Sequence, residues 1–137
     1  MLFRSVQLGD AGPVDTSLFQ QVIKIKMQGR TMELGPILGG EFNVVFYTDI
    51  GMDLESKYLS NLRIAPIQIA GYGHPVSTFG STVDYFLAGA AVENQNAKQH
   101  YSERIVLIEG LGIHPTIQKI KTPQAKNKMS NDEVLIN

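Results

Sequence analysis

The stretch FNVVFYTDIGMDLESKYLSNLRIAPIQIA, Phe42 to Ala70, decides the fold. It opens with Phe42 to Tyr47, a short run of apolar, β-branched and aromatic residues suited to a buried strand. Asp53 follows as an N-cap, and Leu54, Tyr58 and Leu62 recur at intervals of four, which predicts a helix with one apolar face. Glu55 near the start and Arg63 near the end complement the helix dipole, and Pro66 prevents continuation. Ile67 to Ala70 then reads as a second strand. Strand, helix and strand within one such stretch form the unit from which parallel sheets are built.

Working outward, Gly71 to Thr82 is a loop broken by glycine and proline, Val83 to Ala88 a third strand, and Val92 to Tyr101 a polar surface helix. Arg104 to Ile108 is a fourth strand. Strands alternating with helices predict an α/β fold with a mainly parallel sheet covered on both faces. Towards the other end the pattern is less regular. Residues 1 to 15, with Gly9, Gly12 and Pro13, read as loop, and Met1 to Ser5 has no evident structural role. From Asp15 to Met27 two periods compete. Leu18, Phe19, Val22 and Ile23 fit a helix, which is the reading taken, whereas Ile23, Ile25 and Met27 alternate with Lys24 and Lys26 as in a strand. Gly35, Pro36, Gly39 and Gly40 mark a further loop. At the far end, Glu133 to Asn137 reads as the start of a strand. The 137 residues are therefore expected to be a single partial α/β domain, truncated at both ends, with 109–137 a linker and the start of the next element.

Composition bounds the function. Hydrophobic residues make up 43% and charged residues 18%, which is ordinary for a globular domain and too apolar for a disordered chain. A formal net charge of -1 argues against a nucleic-acid partner, which usually meets a basic stripe. Lys119, Lys121, Lys126 and Lys128 do cluster, and read as a solvated tail rather than a phosphate patch. With no cysteine, disulfides, thiolate chemistry and cysteine-bound zinc are excluded. No signal-peptide pattern opens the chain, and the longest apolar run, Tyr85 to Val92, is too short to span a bilayer. A soluble, cytoplasmic protein without a membrane span is the expectation.

The loop Gly71-Tyr-Gly-His-Pro-Val-Ser-Thr-Phe-Gly-Ser81 is the most informative stretch for chemistry. Its place after a parallel strand puts it at the edge of the sheet where ligands bind, and its glycines allow backbone to approach a ligand closely. Its imidazole and hydroxyls can hydrogen-bond a polar substrate, or they can satisfy the loop's own backbone. It contains neither a dinucleotide fingerprint nor a P-loop. His74 with Ser77, Ser81 and Asp84 lacks the nucleophile-elbow pattern of a hydrolase. His100 and Glu103 have the spacing of two metal ligands on a helix, but no further histidine supports them, and no metal site is called. His114, before Pro115, has no sharper reading.

Four ordered segments carry a resemblance: Ile50 to Gln68, Gly73-His-Pro75, Val83-Asp-Tyr85 and Tyr101-Ser-Glu-Arg-Ile-Val-Leu107. Together they resemble the glycosyltransferase family of O-linked N-acetylglucosamine transferase, its SPINDLY relatives and the bacterial adhesin N-glycosyltransferases, over residues 42–108. The run Leu-Arg-Ile-Ala-Pro-Ile-Gln followed by Gly-His-Pro is most similar to the bacterial branch. The resemblance implies a GT-B enzyme of two Rossmann-like lobes, of which this chain is the latter part of the N-terminal one. Its partners would be a UDP-sugar donor and a protein or glycan acceptor, with no cofactor and no essential metal. It implies a catalytic role for His74 and substrate binding by Gly73, Pro75, Ser77 and Thr78. The family's donor-binding lysine belongs to the other lobe, so the fragment alone is expected to be inactive. Several bacterial relatives carry a second histidine where this chain has Phe79, and Tyr101-Ser102-Glu103 is read as holding the turn into the last strand. A non-catalytic Rossmann-like binding module is the alternative.

Overall fold

The computed structural model describes residues 4–8, 15–29, 31–71 and 73–113. Its centre is a four-stranded parallel sheet in the order β5-β6-β7-β8, where β5 is Val44–Tyr47, β6 Ile67–Ala70, β7 Tyr85–Gly89 and β8 Arg104–Ile108. Before it lie β1 (Arg4–Leu8), β2 (Gln21–Ile25), a two-residue hairpin of β3 (Met27–Gln28) and β4 (Thr31–Met32), and the single-turn helix α1 (Gly35–Leu38). Helix α2 (Leu54–Ser60) joins β5 to β6. The protein has the α/β, mainly parallel, Rossmann-like architecture.

Several local expectations change. Arg4–Leu8 is a strand rather than a loop, and Asp15 to Met27 is not a helix: a short 3-10 turn at Thr16–Leu18 leads into β2, which pairs in parallel with β1. The alternation prevails because it places Ile23 and Ile25, 8% and 2% exposed, on the core side while Lys24 faces solvent. The expected loop at Gly35 folds into α1, which buries Ile37. The polar helix expected from Val92 to Tyr101 contracts to a 3-10 turn at Ala97–His100. Asn94 explains the contraction, since its side-chain oxygen accepts from the Asn96 amide at 2.8 Å and competes with a helical ladder. His114 and the lysines from Lys119 onward lie outside the described residues.

Helix α2 forms as its caps dictate. The Asp53 carboxylate accepts from the Ser56 amide at 2.6 Å, satisfying one of the donors that the first turn leaves open. The face it buries is not the predicted one. Leu54 and Tyr58 stay 62% and 59% exposed, whereas Ser56, Leu59 and Ser60 turn inward. Small serines let the helix lie close to the sheet, with Leu59 as its apolar anchor, a burial that stabilises by about 1.5–3 kcal/mol. The Tyr47 hydroxyl donates to the Leu59 carbonyl at 3.2 Å, and burial pushes its pKa up to about 12. Leu59 and Tyr47 join Ile23, Ile25, Ile37, Ala70, Val83 and Phe86 in one core, so the first strands and the central sheet share it. Among the described residues, no helix is long and apolar enough to cross a membrane.

Candidate functional site

Parallel neighbours require every connection to return from the carboxyl edge of the sheet to its amino edge. Between β6 and β7 the described residues form no helix, and residues 73–84 run as loop towards β7. The loop therefore has two ends with different surroundings, and the expected site residues divide between them.

At the carboxyl edge, strand pairing continues past β6: the Gly71 amide donates to the Tyr47 carbonyl at 2.7 Å and the Gly73 amide to the Thr48 carbonyl at 2.9 Å. A Cβ on Gly73 would lie 2.3 Å from the Thr48 oxygen, so only glycine permits this approach. The consequence is that His74, half-buried, is carried against the turn between β5 and α2. Its ring rests on Gly51, whose φ is +128° and whose missing Cβ would fall 2.8 Å from the imidazole Cδ2. Pro75 stands at the corner of a tight turn closed by the Val76 amide on the His74 carbonyl at 2.8 Å. Beside Gly73 lies Asp49, whose Oδ1 is buried and has no hydrogen-bond partner among the described residues. A half-buried imidazole and an unsatisfied carboxylate oxygen thus share the edge of the sheet where parallel folds bind ligands.

The other end is knitted to the start of β8. The Ser77 hydroxyl donates to Glu103 Oε2 at 2.8 Å and the Thr78 amide to Oε1 at 2.7 Å, while the Thr78 hydroxyl also donates to Oε1. Ser77 Oγ further meets Ser102 Oγ at 3.0 Å and accepts from the Ser102 amide at the same distance. Burial pushes the Glu103 pKa up, but hydrogen bonds from the Thr78 hydroxyl, backbone, Ser77 hydroxyl and Thr78 amide outweigh it and hold the carboxyl below its ordinary range. The hydroxyls of Ser77 and Thr78, expected to meet substrate, are thus engaged by Glu103. That agrees with Tyr101-Ser102-Glu103 holding the turn into β8. It also occupies the carboxylate that stood with His100 as a conceivable metal pair.

The remaining conspicuous motifs form one structural network. The Gln68 side chain is fully buried; its Oε1 accepts from the Ile64 amide at 3.0 Å, and its Nε2 donates to the Thr82 carbonyl and hydroxyl at 3.1 and 2.6 Å. Asp84 Oδ2 accepts from Arg63 at 2.6 Å and from the Gln68 amide at 2.8 Å. Arg63, Gln68 and Asp84, from two segments far apart in sequence, therefore fasten α2, β6 and β7 to one another. Of the five expected site residues, Gly73, His74 and Pro75 lie together at the carboxyl edge, and Ser77 and Thr78 lie at the Glu103 anchor. The sequence reading missed Asp49 and Gly51. The available signal was an aspartate and a glycine immediately beyond the end of β5, the position facing ligands in such folds.

No family model matches the chain. Among curated proteins, the UDP-glucose:protein N-beta-glucosyltransferases of Actinobacillus pleuropneumoniae serotypes 5b and 7 are each 41% identical to it over 44 residues. The matched stretch is 31% of this chain and spans only 7% of the length of either relative. The similarity supports a relationship to glycosyltransferases.

Proposed function

We propose that this chain belongs to the N-terminal lobe of a GT-B glycosyltransferase that moves a hexose or N-acetylhexosamine from a UDP-sugar to a protein or glycan acceptor. The observation that carries the reading is the placement of His74: the Gly73-His74-Pro75 segment projects an imidazole at the carboxyl edge of a parallel sheet. The local identity to two protein glucosyltransferases supports it.

In the reaction a bond forms between an acceptor atom and the anomeric carbon, the bond from that carbon to the nucleotide phosphate breaks, and the acceptor loses a proton. An imidazole nitrogen can take that proton or hydrogen-bond the phosphate as charge develops on it. Gly73 and Pro75 contribute by fixing the backbone on either side of His74, so that little reorientation is needed during the reaction. Ser77 and Thr78 contribute by holding the rest of the loop through Glu103, and through their remaining polar capacity toward substrate.

The test is UDP-sugar transfer by the full-length protein and its His74→Ala variant. Turnover is expected to fall by about 10²-fold or more with little change in thermal stability. Near-normal turnover, or a loss matched by a large drop in melting temperature, would return His74 to a structural role. Absence of transfer from any UDP-hexose by the wild type would overturn the transferase reading itself.

A further inference from the structure

The carboxyl edge holds a buried polar atom that the transfer reaction leaves unused. Asp49 lies just beyond the end of β5, and its Oδ1 is buried with no hydrogen-bond partner among the described residues. The carboxylates of Asp53, Asp84 and Glu103 each accept hydrogen bonds, so Asp49 stands apart from them. A carboxylate oxygen taken out of water needs a donor, and leaving one without a donor lowers stability.

Two turns abut at this point, and each lays a side chain against the other's glycine. From the turn between β5 and α2, the Asp49 Cβ lies 3.0 Å from where a Cβ on Gly73 would stand. From the loop after β6, the His74 ring rests on Gly51, with Cδ2 and Nε2 at 2.8 and 3.3 Å from where a Cβ there would stand. The Gly73 amide on the Thr48 carbonyl, at 2.9 Å, fastens this seam beside Asp49. Carboxylate and imidazole therefore belong to neighbouring positions on the two sides of one seam. Among the described residues no hydrogen bond engages the His74 ring. An imidazole always carries at least one N–H donor, and a carboxylate only accepts, so the two unpaired groups are complementary. Because Oδ1 is buried, a substrate group would have to displace the loop to reach it, whereas His74 already sits inside.

We propose that Asp49 is a positioning residue for His74: in the substrate complex one ring N–H donates to Asp49 Oδ1, which orients the ring and fixes which nitrogen faces the acceptor. The proposal rests on the transferase reading and deepens it. In the transfer step the acceptor's bond to hydrogen breaks and the proton passes to the free ring nitrogen. The acceptor atom bonds the anomeric carbon, and the electron pair of the breaking carbon–oxygen bond leaves with UDP. The ring gains positive charge as it takes the proton, and the carboxylate at its other nitrogen stabilises that charge. Hydrogen bonds of this kind commonly shorten or form only when substrate binds, which here requires a turn of the side chains and no change of backbone.

The test joins NMR of the ring nitrogens in histidine-labelled full-length protein, at saturating UDP, to steady-state kinetics with UDP-glucose and a peptide containing asparagine and serine. Asp49→Ala and Asp49→Asn are compared with wild type, and the His74 signals are assigned by their loss in His74→Ala. Wild type is expected to hold His74 in one tautomer. Both variants are expected to populate two, because alanine accepts nothing and asparagine offers an N–H as readily as an oxygen. Their kcat is expected to fall about tenfold or more, with KM for donor and peptide within about twofold of wild type. Melting temperatures are expected to stay level or rise, since no hydrogen bond of the fold is lost. Asparagine keeps the volume, so it carries the test if alanine disturbs the turn. An unchanged tautomer in the variants would overturn the proposal even if turnover fell. A rise in either KM at constant kcat would make Asp49 a substrate contact instead, and a large drop in melting temperature would make it structural. Transfer by wild type with tautomer and turnover unaltered in the variants would overturn this proposal alone. No transfer by wild type would overturn the transferase reading, and the catalytic purpose of the pair with it.

Discussion

Glu103 shows how much a single side chain can organise when it is buried among donors. It is 7% exposed and accepts from Ser77 and Thr78, groups about 25 residues away in the chain. Because its folded pKa lies below the ordinary 4.5, the folded state binds the proton more weakly than the unfolded chain does. The stability it contributes is therefore complete above that ordinary value and is lost as the pH falls through the folded one. In denaturant titrations from neutral pH to about pH 3, wild type should lose stability below the ordinary glutamate range. Glu103→Gln should begin less stable and show a shallower acid decline. Equal pH slopes for the two proteins would sink the assignment. His74 is the residue the sequence marked best, because glycine and proline beside a histidine advertise a constrained backbone. Asp49 carried no comparable mark, since an orphaned oxygen becomes visible only when the atoms around it are placed.

Among the elements, α2, β6 and β8 follow closely from local signals: a capping aspartate, a terminating proline and compact apolar runs. The β6–β7 crossover, read as a loop, is one among the described residues, and side-chain hydrogen bonds hold it where a helix would otherwise do so. Gln68 is its keystone on the sheet side. Gln68→Leu keeps the volume but strands the Ile64 amide and the Thr82 groups, each costing about 1–3 kcal/mol when buried and unmet. A loss of about 2–4 kcal/mol in unfolding free energy is expected, seen as a lower denaturant midpoint at unchanged slope. A change below about 0.5 kcal/mol, the range of ordinary surface substitutions, would count against the network. In β2 the sequence supported two periods at once. The strand prevailed because β1 was available as a parallel partner, a fact no window of local sequence contains.

For the whole molecule, the described surface bears much apolar area. Val44 and Phe46 on one edge strand are 42% and 50% exposed, and Leu107 and Ile108 on the other are 51% and 43% exposed. Leu54 and Tyr58 on α2 add to it. Open strand edges and apolar patches of this kind promote association. The 137 residues made alone are expected to self-associate in sedimentation and to bind UDP more weakly than micromolar in calorimetry, since one edge of one sheet leaves a nucleotide largely solvated. A monomer with a sharp cooperative melt, or sub-micromolar UDP binding, would contradict this.

The sequence by itself determined the parallel α/β class, the four central strands and the position of the loop that carries His74. Those depend on short-range periodicity, caps and turn residues, which lie within a few positions of one another. Only the tertiary structure decided which face of α2 is buried, that Gln21–Ile25 forms a strand, and that Ser77 and Thr78 spend their hydroxyls on Glu103. It alone brought His74 onto Gly51 and Asp49 beside Gly73. The physical reason is common to all of these: each rests on partners distant in sequence, whose contact energies outweigh local preference and leave no periodic trace in the chain.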